Sequence, residues 1–311
     1  MKKYNLGYVA GILFSLIFGF SFMFSKIVLD SNYTTPMGLI AYRFLLAFIV
    51  FEVLRLTKVV KIRFDRRFFL PIFLVALFQP ILYFIFETYG LDLTTSAEGG
   101  LMIALIPIFV TILSSFVLNE KPNKIQILFI ALSFVGVILI QVLNSEGGSL
   151  SSLWGFLLLL LAVISAALFN IASRSASKKV KPFELTYFMM LYGAVTFNII
   201  YLFQLGMNNT LSEYFSSLIN IEVLGPILYL GIVASIGGFF LVNFALSKLP
   251  AHVSSIYANI STIVAVLAGY FFLNESLYWY HFVGGLLIVV GVYGTARANN
   301  LNKSIRDDTN D

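Results

Sequence analysis

Gln79, Tyr83 and Glu87 are spaced i, i+4, i+8 inside the apolar run Phe68 to Thr88. On a helix they would stack along one side. An amide, a phenol and a carboxylate on one face can hydrogen-bond a passing solute, and a buried carboxylate can also exchange a proton. Pro80 sits beside them and removes a backbone hydrogen bond, as helix breaks near transport sites do. Arg43 lies about two turns inside a second apolar run by the 3.6-residue turn, too deep to be an ordinary surface residue. It either fixes its helix through an ion pair or carbonyl contact, or meets a substrate directly. Asn170, Asn243 and Asn259 are amides in apolar surroundings, and each needs a partner, whether a neighbouring helix or a ligand. Ser255 and Thr262 share the face of Asn259, and Tyr257 lies on another part of the same run. Glu98 opens its run, where a carboxylate suits the positive helix N-terminus. Lys26 is placed to snorkel, and Glu52 to pair with Arg55 or Lys58.

The elements that carry these residues are membrane spans. Of 311 residues, 59% are hydrophobic and 11% charged, where a soluble chain is about a quarter charged. A span needs about 20 mostly apolar residues, and ten such stretches are read. They run from 6 to 29, 36 to 56, 68 to 88, 96 to 118, 125 to 143, 154 to 173, 183 to 205, 223 to 246, 251 to 273 and 281 to 296. The tenth is short and extends into the aromatic stretch Tyr278-Trp279-Tyr280. The first, after Lys2-Lys3, is too long for a secretory signal and is expected to be retained. It carries Gly7, Gly11, Ser15 and Gly19 at four-residue spacing, a face that admits close approach of another backbone.

Charge distribution sets the topology. The net charge of +5 is concentrated before span 1, between spans 2 and 3, 4 and 5, and 6 and 7, and after spans 8 and 10. The alternate loops carry no Lys or Arg. With ten spans all the basic segments fall on one side, so both termini are expected in the cytoplasm. The basic excess is thus a topology signal, and no nucleic-acid partner is implied.

The stretch Ser96 to Glu120 recurs as Ala251 to Glu275, a shift of 155 positions, and both copies close on Leu-Asn-Glu. The register extends from Tyr89 on Phe244 to Gly136-Val137 on Gly291-Val292. Five spans separate the copies, and an odd number inverts the second. The fold class is therefore all-α polytopic: ten transmembrane helices as two inverted-topology repeats of five, 1–148 and 149–311, divided in the polar linker Asn144 to Ser152. The Asn119-Glu120 and Asn274-Glu275 pairs read as structural stops at opposite membrane surfaces.

Enzyme signatures are missing. The chain has no cysteine and two histidines, His252 and His281, which leaves no thiol chemistry and little for a metal. There is no phosphate-binding loop, dinucleotide turn, G-x-S-x-G or H-E-x-x-H. No cofactor is expected.

Several short motifs, in their order and spacing, resemble the drug/metabolite transporter superfamily in its EamA-type branch. They are Phe18-Gly19-Phe20-Ser21-Phe22 through Lys26, Pro36 followed by Tyr42-Arg43-Phe44, and a span 4 with Pro107 that ends Leu118-Asn119-Glu120. The resemblance covers nearly the whole chain. In the second repeat Thr262 replaces Pro107 and Met189 falls near the place of Arg43. The resemblance implies a secondary carrier in the cell membrane, most often an exporter, for amino acids, related metabolites or amphipathic drugs. It also implies a central cavity bounded by spans 1, 3, 4, 6, 8 and 9, with spans 5 and 10 as scaffold. The substrate-binding residues expected are Gln79, Tyr83, Glu87, Asn170, Asn243, Tyr257, Asn259 and Arg43. Glu87 or Arg43 would set charge preference, and Glu87 could carry proton coupling. The partners expected are a small-molecule substrate, the lipid bilayer and a coupling proton or ion; a monomer and a homodimer both fit. A lipid or polyprenyl-linked flippase, or a non-transporting membrane scaffold, are the alternatives.

Overall fold

A computed structural model describes residues 2–62, 66–118, 124–144, 150–249 and 251–308. The Leu-Asn-Glu ending of the expected first repeat (Asn119, Glu120) and most of the expected linker lie outside them. Among the described residues the chain is helical throughout, with no strand. Eight helical stretches are long and apolar enough to cross a membrane, and two shorter apolar ones, Lys124–Ile140 and Trp279–Gly294, stand where the fifth and tenth spans are expected. Side chains such as Leu128, Val142, Ile199, Phe203, Phe271 and Phe272 are exposed on the outside of the bundle. An apolar surface of this extent belongs against lipid.

Helix α1 (Lys2–Asp30) and α2 (Pro36–Leu56) form the first two spans. Thr35 starts α2, accepting from Gly38 N at 3.1 Å, with Pro36 at the first helical position, where its missing N–H costs nothing. The third span is not one helix. It runs as α3 (Phe69–Ala76), a wide π-type segment (Leu77–Leu82) and α4 (Tyr83–Asp92), with Gln79 at φ −152°, ψ 116° and a cis bond to Pro80. The fourth is broken as well, into α5 (Ser96–Ile103) and α6 (Ile106–Leu118). Thr95 and Glu98 begin α5 as a reciprocal cap, Thr95 N donating to Glu98 at 2.8 Å and Glu98 N to Thr95 Oγ1 at 3.1 Å.

Helices α7 (Lys124–Asn144), α8 (Leu150–Ala176) and α9 (Pro182–Met207) follow. The span after them repeats the pattern of the third: α10 (Ile221–Leu228), a π-type segment (Tyr229–Gly238) and α11 (Phe239–Lys248). The next repeats the fourth, with α12 (Ala251–Ser255) and α13 (Ala258–Leu273) separated at Ile256-Tyr257. The last helix is α14 (Trp279–Asp308).

Helix α1 is central, packing on α13, α11 and the second π segment, while α2 lies along α9, α4 along α8, α5 along α13 and α7 along α14. Its four-residue face of small residues meets the broken ninth span. A Cβ on Gly11 would sit 2.7 Å from the Tyr257 ring, and Ser15 Oγ lies 2.8 Å from Tyr257 O. The face therefore packs one half of the chain against the other.

Lys26 does not reach freely outward: its Nζ stands 3.0 Å from Asp30 and 3.4 Å from Leu91 O. Glu52 pairs with Arg55, whose Nε donates to it at 2.8 Å, and also accepts from Tyr187 Oη at 2.9 Å. Glu275 is more than a stop. With Asn274 turned into the left-handed region at φ 54°, its carboxylate accepts Ser96 N at 2.7 Å and Ala97 N at 2.9 Å. The end of α13 thereby caps the start of α5, where orphan N–H groups need an acceptor. Glu275→Ala should lower stability by about 2 kcal/mol, the loss of two charge-assisted bonds in a half-buried setting. Thermal unfolding in detergent reads this directly, and an unchanged midpoint would show that water replaces the carboxylate.

Candidate functional site

A cavity lies where α1, α2, the third span and α5 and α6 meet α8, α11, α12 and α13, with about 670 Å³ of atom-free space, part of it open to solvent. Phe14, Phe18, Phe22, Phe84, Phe169 and Phe239 are prominent in its wall. Into this apolar box project Arg43, Gln79, Tyr83, Glu87 and Asn170, with Ser21, Ser254, Ser255 and Ser261 along α1, α12 and α13.

Arg43 is 1% exposed. Its Nε donates to Ser235 Oγ at 2.9 Å, and the guanidinium carbon stands 4.3 Å from the centre of the Phe84 ring and 5.7 Å from that of Phe44. Stacking on a ring face and one fixed hydrogen bond hold the group in place. Its Nη2 is buried with no partner. Glu87, 2% exposed, accepts from Thr88 Oγ1 at 3.1 Å. The two charges share the cavity, yet no contact of 4.0 Å or less makes them an ion pair.

The wide turn matters here. Gln79 departs from helical geometry, so the regular four-residue stack assumed from spacing does not hold through residues 77–82. Gln79, Tyr83 and Glu87 still line the same cavity, because the π segment lies upstream of α4 and the last two residues belong to α4 itself. Asn170 lines the cavity from α8 while its Nδ2 donates to Ala166 O at 2.8 Å.

The remaining expected residues lie elsewhere. Asn243 is fully buried, accepting from Ser173 Oγ at 2.7 Å and directing its Nδ2 to Thr186 Oγ1 at 3.0 Å and Met189 Sδ at 3.3 Å. It ties α11 to α8 and α9 and does not line the cavity. Tyr257 packs edge-on to Phe14 with ring centres 6.2 Å apart, behind the wall. Asn259 is also absent from the lining, and its Oδ1 is buried without a partner. Thr262 joins α13 to α5, donating to Gly100 O at 2.7 Å. Sequence reasoning missed Ser254 and Ser261 in the lining and Ser235 behind Arg43. Serine is ordinary in membrane helices, where it back-bonds to its own turn, so nothing local marked them.

A model of the EamA-like transporter family matches this chain twice, over residues 5–142 and 153–297. This chain belongs to the EamA-like transporter family. It is a multi-pass membrane transporter, and the EamA-like relatives carry names of the same kind. It is 38% identical over 288 residues to the uncharacterized transporter YcxC of Bacillus subtilis (strain 168), covering 93% of this chain and 92% of that one. An uncharacterized transporter of Archaeoglobus fulgidus is 26% identical over 274 residues, 88% of this chain and 93% of its own. A crystal structure covering 95% of this chain and 98% of its own superposes with a TM-score of 0.61 at 18% identity, a likeness of fold.

Proposed function

We propose that this EamA-like protein is a secondary carrier of the cell membrane that exports amino acids or related amphipathic metabolites by alternating access between two inverted five-span halves. The observation that carries the reading is the cavity, polar at a few points and apolar elsewhere, that residues of both proposed halves line. A site at the meeting of two repeats can open to either side as one rocks on the other.

Several features support two related halves. The third and eighth spans both contain a π-type segment, and the fourth and ninth are both broken. The two family matches leave residues 143–152 between them, around the division at 148 and 149. The crossing of α7 and α14 follows the shift of 155. Ser133 Oγ donates to Ile288 O at 3.2 Å across a separation of 155 positions, so this pair maps onto itself with its partners exchanged. Gly136 approaches Gly284, and Gly291 approaches Phe129; the same shift carries Gly136 onto Gly291 and Phe129 onto Gly284, so these two contacts exchange as well. In this reading the two shorter helices complete ten spans, and both termini lie in the cytoplasm with the basic loops.

In this mechanism Gln79, Tyr83, Glu87 and Asn170 meet the substrate, and Glu87 couples its movement to a proton. Proteoliposomes carrying an imposed pH gradient test it with a radiolabelled neutral amino acid. Saturable, gradient-driven flux is expected in the wild type; Glu87→Gln should abolish the response to the gradient and keep substrate binding. Equal gradient-driven flux in Glu87→Gln would remove the coupling role.

A further inference from the structure

Two residues of the cavity lining stand out. Among the described residues, seven buried side-chain polar atoms lack a hydrogen-bond partner, and only those of Arg43 and Ser254 belong to residues that line this cavity. Each residue is 1% exposed. A buried donor left unpaired is costly, more so when it is charged, and a site that keeps two of them is built for a group that arrives later.

We infer that Arg43 Nη2 and Ser254 Oγ add two further hydrogen-bonding contacts to the transported molecule, and that this molecule is a monocarboxylate whose apolar body separates the acid from a second polar group. The inference rests on the carrier reading and names the substrate chemistry of its site. Arg43 supplies the acid contact: its Nε is held by Ser235 and its plane by Phe84, so Nη2 presents a fixed donor to an oxyanion. The charge is limited to one. No second Arg or Lys lines the cavity, and the Glu87 carboxylate shares it, so a phosphate dianion would meet one cation and one like charge in a low-dielectric space. The apolar body follows from the six phenylalanines of the wall. The second polar group follows from Ser254, on α12 in the other half of the chain from Arg43, two helices with no extensive mutual packing. A ligand that bridges them ties both halves to its own occupancy.

Three probes separate these elements on the full-length protein in detergent, by calorimetry or ligand-induced thermal stabilisation: 3-phenylpropionate, its amide, and 3-(4-hydroxyphenyl)propionate. The acid should bind roughly tenfold or more tightly than the amide, since only the acid offers Arg43 an anion. The ring hydroxyl should add roughly fivefold in the wild type and nothing in Ser254→Ala, and Arg43→Lys should shrink the preference for acid over amide. Equal binding of acid and amide overturns the carboxylate assignment, and a hydroxyl advantage that survives Ser254→Ala overturns that of Ser254. Both comparisons stand even if Arg43→Lys does not fold. If none of the probes binds while proteoliposomes still show Glu87-dependent flux, this inference falls and the carrier reading stands. If binding and flux are both lacking, both fall.

Discussion

Arg43→Gln is expected to destabilise the protein by about 3–5 kcal/mol, while the double variant Arg43→Gln/Glu87→Gln should recover most of that loss. The single change removes the guanidinium that bonds Ser235 and stacks on Phe84. It also leaves the Glu87 carboxylate, 2% exposed, in a cavity whose lining offers it no other cation. Removing one member of a buried charge pair costs about 3–5 kcal/mol because the survivor is uncompensated, whereas replacing both is often close to neutral. No close ion pair is needed, because the field of a charge reaches further in a low-dielectric interior than in water. Reversible unfolding in mixed micelles would give the four corners of the cycle. Costs that simply add would show that the two groups do not feel each other, and Glu87 would then lose its place as the counter-charge of Arg43.

The parts of this site that could be read in the sequence are those where a single segment holds the whole signal. Gln79, Tyr83 and Glu87 repeat every four residues in one apolar run, and Arg43 is an isolated charge in another; all four line the cavity. A lone amide announces only that it needs partners. Those of Asn243 come from Ser173, Thr186 and Met189 on two other helices, so its role was decided by packing that no local pattern contains. The same holds for Glu275, whose partners at Ser96 and Ala97 lie 179 and 178 residues away. Helix breaks were half legible. Pro80 marked the first, but the break at Ile256-Tyr257 has no proline inside it; it is seated by Ser15 and Gly11 of α1. The hydropathy echo at a shift of 155 pairs the fourth span with the ninth, and both are broken.

Gly136→Ala and Gly291→Ala should each cost about 2 kcal/mol, and by nearly equal amounts. A Cβ on Gly136 would stand 2.5 Å from Gly284 O and 3.0 Å from Leu287 Cβ. A Cβ on Gly291 would stand 2.5 Å from Phe129 O and 2.9 Å from Ser133 N, and would also run into Ser133 Oγ. These obstacles include main-chain atoms, which cannot rotate away, so α7 and α14 must separate. Overpacking of this kind costs about 1–3 kcal/mol. Lipid offers the two helices no hydrophobic drive to stay together, so close backbone approach is the attraction that is lost. Gly225 and Gly237 have nothing within 4 Å of the same added atom, so alanine there should be neutral or stabilising by up to about 1 kcal/mol through helix propensity. Thermal midpoints of the four variants in one detergent make the comparison. Sensitivity at Gly136 with tolerance at Gly291 would break the equivalence that the shift of 155 gives them. With that equivalence would go the main structural argument that the scaffold pair is related by a two-fold axis, the geometry on which rocking of one half against the other depends.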